Sequence, residues 1–239
     1  MSYETLARYY DGFTRDVPYR ALADWYETLL GPERRMLLDL CCGTGTLTLL
    51  LSRRGHELIG VDRSPEMLAQ AAAKAGGAAL DVPPLFLCQE ASELDLYGTV
   101  EGAYCALDGI NYLPPEELSA LLGRLRLFLE PGGVFAFDFH APEHLRELDG
   151  CVFVDETEDA LCLWRGEFDP EENALFYGMD IFSRAGALWR RAQEEHVEYA
   201  HSPETLLELL RAGGFDDAAL LPGGPQYEQG RRYIRAVRR

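Results

Sequence analysis

Short apolar runs alternate with amphipathic stretches through the middle of the chain. The apolar runs have the length and the Leu, Ile, Val and Phe content of buried strands, and the stretches between them show helical spacing of apolar residues. The pattern predicts strands at Met36–Cys41, Glu57–Val61, Leu85–Cys88, Gly102–Ala106 and Val134–Phe139. It predicts helices at Gly45–Arg54, Pro65–Lys74 and Pro114–Leu129, with a Pro131-Gly132-Gly133 turn after the last of them. Alternating strands and helices favour a doubly wound α/β fold with a parallel sheet.

Three segments around this core follow other patterns. Residues 1–31 contain two aromatic-rich helical patterns, which predict a helical lid before the core at 32–149. Residues 150–200 contain strand-like segments separated by turns, which predict an antiparallel insert over the active site. Residues 201–239 predict a final helix and two closing strands, at 215–221 and 233–237. We therefore expect residues 1–239 to form one domain.

The charge balance limits the choice of partner. The chain of 239 residues is 47% hydrophobic, enough for a sizeable core. It carries 40 acidic and 22 basic residues, a formal net charge of −18, and such a charge repels phosphate backbones. We interpret the alternating Arg residues of 231–239 as one solvated face of a last strand. No nucleic-acid partner is expected.

Location and cysteine chemistry also follow from the sequence. No apolar run is long enough to span a membrane and no signal peptide is indicated, so a cytoplasmic protein without a membrane partner is expected. The six cysteines include no C-x-x-C pair, which argues against a zinc site or a disulfide framework. They are expected to act as small buried hydrophobic residues, and no metal is expected.

The strongest local signal is the segment Asp39–Gly45. An apolar strand there enters a turn of small residues that opens a helix, and Gly43 and Gly45 let a nucleotide-like ligand approach the backbone. Two glycines in such a turn also occur for steric reasons alone. A dinucleotide fingerprint has a third glycine where this chain has Thr48, so pyrophosphate is not favoured. Asp39, at the strand end, is instead suited to the ammonium of an amino-acid moiety.

A second acidic residue, Asp62, ends the next predicted strand, 17 residues after Gly45. A carboxylate at this point can accept hydrogen bonds from both hydroxyls of a ribose. Asp62 also precedes a capping pattern, Ser64-Pro65-Glu66, and its structural alternative is to belong to that cap. The two roles are compatible because Ser64 is the better cap.

Together these segments resemble class I S-adenosylmethionine-dependent methyltransferases. The likeness covers about residues 36–140, including Arg63–Leu68 after Asp62 and the Leu129–Gly133 turn. It implies a Rossmann-like, seven-stranded sheet of order 3-2-1-4-5-7-6 with the last strand antiparallel. It also implies S-adenosylmethionine as cofactor and S-adenosylhomocysteine as product. The insert resembles that of a subgroup of small bacterial methyltransferases.

The resemblance also implies roles for single residues. Asp39 and Gly43 contact the methionine part of the cofactor, and Asp62 holds the ribose. Met67 packs on adenine, and Glu90-Ala91 stands where many relatives have an acid that binds the adenine amino group. The expected cofactor-binding set is Tyr10, Tyr19, Asp39, Cys41, Gly43, Gly45, Asp62, Arg63, Met67, Glu90, Ala91 and Cys105.

The methyl acceptor is expected beside the segment after the fourth strand, Cys105–Tyr112, because open α/β sheets bind ligands at the carboxyl ends of their strands. The segment lacks the Asn/Asp-Pro-Pro-Tyr/Phe motif of the family's adenine methyltransferases. Residues expected around the acceptor are Tyr9, Tyr10, Tyr19, His140, His196 and Tyr199. The candidate catalytic residues are Asp108, Tyr112, His140 and His196. Asp108, His140 or His196 would take the proton where one must leave.

The sequence thus predicts a methyltransferase that acts on nitrogen or oxygen of a small molecule by in-line displacement. Two alternatives stay open. A fold relative would bind the cofactor or a partner protein without turnover. An NAD(P)-dependent oxidoreductase would use a similar sheet, although the missing third glycine disfavours it. A monomer or a homodimer is expected.

Overall fold

The computed structural model describes residues 4–31, 33, 35–225 and 229–239. The first three residues of the predicted lid and its boundary with the core at Pro32 lie outside the described residues. Helices occur at α1 (Leu6–Phe13), α2 (Tyr19–Leu30), α3 (Thr46–Arg53), α4 (Pro65–Gly76), α5 (Pro115–Phe128), α6 (Pro142–Glu147) and α7 (Pro203–Ala212). Strands of the first part of the chain are β1 (Met36–Leu40), β2 (Glu57–Asp62), β3 (Leu85–Cys88), β4 (Val100–Cys105) and β5 (Leu129–His140). They are followed by β6 (Val152–Glu156), β7 (Ala160–Asp169), β8 (Ala174–Ala185), β9 (Leu188–Tyr199), β10 (Phe215–Leu220) and β11 (Arg231–Arg238).

A seven-stranded sheet of order β10-β11-β5-β4-β1-β2-β3 forms the core. Strands β1 to β5 pair in parallel, and β11 runs antiparallel to both β5 and β10. Strands β6 to β9 form a separate antiparallel sheet. With those four set aside, the order is the expected 3-2-1-4-5-7-6. The Rossmann-like sheet and the antiparallel insert are confirmed.

The strand sequences are continuous apolar runs because helices cover both faces of the sheet. Leu38, Leu40 and the three phenylalanines of β5 pack on one face with α5 and α7. Leu37 and Ala136 point to the other face, where α2 and α3 cover them. Alternate residues of one strand therefore belong to two cores, as strand geometry requires.

Helix starts in the structure follow the predicted capping signals. The Ser64 hydroxyl accepts a 3.1 Å hydrogen bond from the Met67 amide, with Pro65 in the first helical turn. Ser202 caps α7 in the same way through the Thr205 amide. The cap expected at Ser64 is therefore present, which leaves Asp62 available for another role.

Several local predictions need correction. The predicted turn Pro131-Gly132-Gly133 lies inside β5, where Val100 pairs with Leu129 and Gly102 with Val134, so the extra residues of β5 bulge. Helix α6 was not predicted because six residues are too few to show a helical period. Cys105 and Cys162 are buried as expected, but Cys88 is exposed; all six cysteines are free.

Among the described residues, no helix combines the length and the apolar character needed to cross a membrane.

Candidate functional site

A cavity lies at the carboxyl ends of the central strands, between the sheet, α1 and the insert. It contains about 1090 Å³ of empty space, a volume that includes open solvent. Predicted residues that line it are Tyr10, Tyr19, Asp39, Cys41, Gly43, Asp62, Arg63, Met67, Glu90, Ala91, Asp108, Tyr112 and His196. Sequence reasoning missed others, among them Leu6, Thr44, Gln89 and Trp164. The predicted cofactor and acceptor residues thus share one space.

The loop after β1 exposes its backbone to this cavity. Cys41, Gly43 and Gly45 all have positive φ, at 56°, 53° and 72°. A Cβ on Gly43 would have no atom within 4 Å, so this glycine leaves open space beside the backbone. A Cβ on Gly45 would lie 2.9 Å from the Ala71 Cβ, and Gly45 does not line the cavity. Packing against α4 therefore explains Gly45, whereas Gly43 leaves room for a ligand.

Asp62 joins the ends of β1 and β2. One of its oxygens, Oδ2, accepts a 2.8 Å hydrogen bond from the Gly43 amide, and Oδ1 accepts one of 2.9 Å from the Ser64 amide. Burial raises the pKa of Asp62, and these two amides act in the opposite direction. Each carboxylate oxygen can accept a further hydrogen bond, so Asp62 can bind a ligand while it holds the loop.

Asp39 is a buried acid, 3% exposed, at the end of β1. The Thr48 hydroxyl donates a 2.5 Å hydrogen bond to its Oδ2. Burial raises the pKa of Asp39 to about 7 because the charged form loses hydration. The carboxyl group therefore titrates near neutrality, and a cation in the cavity would favour its charged form.

The segment after β4 adopts an unusual backbone. Leu107 and Asp108 have φ of 57° and 54°, in the left-handed region that non-glycine residues rarely occupy. The Leu107 amide donates to Asp138 Oδ2 at 3.1 Å, and the Asp108 amide donates to Oδ1 at 2.9 Å. This buried carboxylate holds the turn, and the turn places Asp108 in the cavity wall.

The Arg231 guanidinium balances the charge of Asp108 and Asp138. The prediction that the arginines of residues 231–239 form a solvated face is therefore wrong at Arg231. Its side chain is 2% exposed. It contacts Asp138 through Nη1, and its Nη2 lies 2.8 Å from Asp108 Oδ1 and 3.0 Å from His140 Nε2. Neither Asp138 nor Arg231 was a predicted site residue. Asp138 lies between Phe137 and Phe139 in an apolar strand, and this was the sequence signal that could have indicated the pair, since a buried charge needs a partner.

The structure does not place His140 in the cavity wall. Its Nδ1 lies 3.1 Å from Glu198 Oε2, and its other ring nitrogen faces Arg231. Burial raises the pKa of Glu198. Asp108, His140 and Glu198 are close enough together to share a metal ion, but the Arg231 guanidinium already contacts two of them and repels a cation.

Three other predicted residues also lie outside the wall. Cys105 is fully buried in the core beneath the loop. Tyr9 faces a separate surface crevice with Thr157 and Arg184, because neighbouring residues on a helix point in different directions. Tyr199 stacks on His201. None of these three side chains lines the cavity.

His196 does line the cavity, from the insert. Its ring is 1% exposed and meets the Tyr112 ring edge-on at 6.2 Å between centroids. Its Nε2 lies 3.6 Å from Glu194 Oε2. The predicted residues Asp108, Tyr112 and His196 therefore share the cavity wall with Trp164.

Replacing Arg231 with Met is expected to lower the free energy of unfolding by about 3–5 kcal/mol, because Asp138 and Asp108 would keep buried charge without a cation. Urea titration followed by circular dichroism measures this. Arg232→Met is the matched control, since the neighbouring Arg232 is exposed and its loss should cost less than about 0.5 kcal/mol. Equal stability of the two variants would contradict the network.

Comparison with known proteins gives three kinds of similarity. A family model described as a methyltransferase domain matches residues 37–133. The putative methyltransferase YqeM of Bacillus subtilis (strain 168) is 30% identical over 218 residues, which cover 90% of this chain and 87% of that protein.

Two solved structures can be superposed on nearly the whole chain. An S-adenosylmethionine-dependent methyltransferase from Clostridium acetobutylicum ATCC 824 has a TM-score of 0.83 at 26% identity, covering 99% of this chain and 98% of that one. CalS10, an amino pentose methyltransferase from Micromonospora echinaspora solved with S-adenosylmethionine bound, has a TM-score of 0.74 at 22% identity over 96% of each chain. At that identity the second structure shows a shared fold.

Proposed function

Because this chain belongs to the class I S-adenosylmethionine-dependent methyltransferases, we propose that it methylates a nitrogen or oxygen atom of a small molecule. Its cofactor is S-adenosylmethionine, as in the methyltransferase from Clostridium acetobutylicum. Membership in this family removes the nicotinamide-dependent alternative. We propose three things: the class of the acceptor, the residues that bind cofactor and acceptor, and the division of the chain into lid, core and insert.

The cavity suits this cofactor chemically. Open space beside Gly43 admits a ligand against the backbone, and two acids, Asp39 and Asp62, face that space. When bound, S-adenosylmethionine supplies an electrophilic methyl group on a positively charged sulfur. Asp39 and Gly43 are proposed to hold its amino-acid part, and Asp62 its ribose. Met67, Glu90 and Ala91, which line the cavity near the ends of β2 and β3, are proposed to hold the adenine.

Four further residues that line the cavity are proposed to contact the cofactor. Tyr10 and Tyr19 come from the lid segment 1–31, Cys41 from the loop and Arg63 from the end of β2. Burial raises the pKa of Tyr19 to about 12, so its hydroxyl stays neutral and donates to Thr14 Oγ1 at 3.1 Å. Neutral tyrosine faces favour a nearby cation such as a sulfonium.

One observation carries the proposal of a small acceptor. Asp108, Tyr112 and Trp164 line the cavity, to which α1 contributes Leu6 and Tyr10 and the insert contributes His196. A space of this kind encloses a small molecule, and a net charge of −18 disfavours a polyanion. We propose that the insert at 150–200 and the lid at 1–31 together form this roof.

Methyl transfer needs alignment and the exclusion of water more than it needs a strong base. We propose that α1 and the insert provide both when the substrates are bound. Where the acceptor must lose a proton, Asp108 and His196 are the proposed proton acceptors because both side chains line the cavity. Tyr112 lies beside His196 and is proposed to orient the acceptor. His140 is not proposed to touch substrate, since Glu198 and Arg231 enclose its ring.

A labelled-methyl transfer experiment tests the acceptor class. The protein is incubated with S-adenosylmethionine carrying a labelled methyl group and with separate pools of small amines, small hydroxyl compounds, RNA and protein. Label in a small amine or hydroxyl compound is the expected result. Label confined to RNA or protein would overturn the proposal. Tight cofactor binding with no transfer to any pool would favour the alternative of a relative that binds without turnover.

Asp62→Ala is expected to weaken S-adenosylmethionine binding by about 2–4 kcal/mol, because it removes a charged acceptor for two hydroxyls and loosens Gly43. Isothermal calorimetry on the folded variant measures the change. Asp81→Ala removes an exposed acid outside the cavity and should leave affinity unchanged. Wild-type affinity in Asp62→Ala would remove the ribose assignment.

Cofactor affinity is also expected to depend on pH through Asp39. The raised pKa of about 7 means that the free carboxyl is largely protonated in mild acid. A bound ammonium lowers that pKa, so affinity should rise between about pH 5.5 and 7.5, with proton release on binding near the lower end. Calorimetry in buffers of different ionisation enthalpy detects the proton. Asp39→Asn should flatten the profile, and a profile unchanged by this substitution would assign the dependence to another group.

A further inference from the structure

Helix α1 forms part of the cavity wall without strong intrinsic stability. Leu6 and Tyr10, on one face of the helix, line the cavity. The helix has eight residues, no acid in its first turn and no side-chain cap at Thr5. A helix this short is unstable alone, so contacts with the rest of the protein must hold it in place.

The buried contact that holds its first turn comes from the insert. Glu194 Oε1, on β9, accepts hydrogen bonds from the Thr5 amide at 2.6 Å and the Leu6 amide at 3.0 Å. Glu194 is 6% exposed. A carboxylate there satisfies amides that have no partner within the helix and opposes the positive end of the helix dipole.

A second contact joins the same helix to the proposed cofactor loop. Asp11 Oδ1 accepts hydrogen bonds from the Thr44 hydroxyl at 2.6 Å and the Thr46 hydroxyl at 3.2 Å. Asp11 Oδ2 accepts from Lys74 Nζ at 2.7 Å. Asp11 and Lys74 are 47% and 29% exposed, so this contact is accessible to solvent and weaker than the buried one. Helix α1 is thus bound at its start to the insert and near its end to the loop of Gly43.

The other oxygen of Glu194 links this helix to the acceptor end. Glu194 Oε2 lies 3.6 Å from Nε2 of His196, which lines the cavity two residues further along β9. One carboxylate therefore contacts the start of the lid helix on one side and the cavity histidine on the other. A movement of α1 away from Glu194 would change the wall at both ends of the cavity.

We propose that Glu194 is a positioning residue that holds α1 closed over the bound cofactor, and that cofactor exchange requires its two hydrogen bonds to α1 to open. The proposal rests on the proposed function for its cofactor, S-adenosylmethionine, and on the structure alone for the contact. Glu194 acts through Leu6 and Tyr10, which it keeps in the wall, and it touches no reacting atom.

Three variants separate this role from general stability. Glu194→Ala removes the acceptor of both amides. Glu194→Gln keeps an amide oxygen in its place and should rescue the contact. Glu195→Ala is the matched control, because Glu195 is the next residue on β9 and is exposed. Should Glu194→Ala fail to fold, Glu194→Asp replaces it, since the shorter side chain withdraws the oxygen but keeps the charge.

The first measurement is the dissociation rate of S-adenosylhomocysteine by stopped flow, followed through tryptophan fluorescence because Trp164 lines the cavity. Glu194→Ala is expected to accelerate dissociation by at least about tenfold, since two charge-assisted hydrogen bonds are lost. Glu194→Gln should stay within about threefold of the wild type, and Glu195→Ala should match it. Equal rates in Glu194→Ala and the wild type would overturn the proposal, as would an equal acceleration in Glu194→Gln and Glu194→Ala.

The second measurement is amide hydrogen exchange over residues 4–13 of the ligand-free protein. Faster exchange in Glu194→Ala but not in Glu195→Ala is expected, because Glu194 holds the Thr5 and Leu6 amides. Unchanged exchange would show that Glu194 does not hold the helix and would overturn the proposal. This measurement needs no ligand, so it distinguishes the absence of the Glu194 contact from a failure of the proposed function. The latter would appear as no binding of S-adenosylhomocysteine to the wild type.

Discussion

Asp138 lies near the end of β5 without any exposed surface, and its two oxygens accept hydrogen bonds from three separate parts of the chain. Tyr26 donates from α2, the Leu107 and Asp108 amides donate from the loop after β4, and Arg231 donates from the start of β11. A carboxylate removed from water in this way is tolerated only when its lone pairs are used and its charge is balanced. Asp138 therefore joins α2, the loop after β4 and the last strand, β11, into one arrangement.

The geometry of the acceptor end follows from that arrangement. Two consecutive non-glycine residues in the left-handed region carry strain, and such strain persists only where the surroundings hold it. Asp138 holds both amides, and Arg231 holds the carboxylate of Asp108 from the other side. The proposed proton acceptor is thus fixed by partners that do not face the cavity. Sequence separation from Asp138 to Arg231 is 93 residues, which explains why local patterns do not reveal the pair.

Sequence patterns predicted the strands and helices of the core because these depend on local rules, whereas the strand order followed from the resemblance to the methyltransferase family. Apolar runs define strands, and residues at their carboxyl ends meet at one edge of a parallel sheet, which is why Asp39 and Asp62 lie together. Which of the predicted acceptor residues line the cavity could not be told from the sequence, because this depends on which way a side chain points from the lid and the insert. Tyr10 faces the cavity and Tyr9 does not, although the two are neighbours. In the same way, His196 lines the cavity and His140 does not. Glu198 and Arg231 enclose His140, and only the folded chain brings them to it.

Buried negative charge is balanced differently at the two ends of the cavity, and this difference suits a positively charged cofactor. At the acceptor end, Arg231 balances Asp108 and Asp138 within the protein. At the cofactor end, Asp39 and Asp62 receive hydrogen bonds from hydroxyl and amide groups, and burial raises the pKa of both. Their charged forms are therefore disfavoured in the free protein, and a positively charged ligand relieves part of that cost. S-adenosylmethionine carries positive charge on its amino group and its sulfur, whereas the sulfur of the product is neutral. In the roles proposed for them, Asp39 and Asp62 therefore favour the positively charged cofactor over its product.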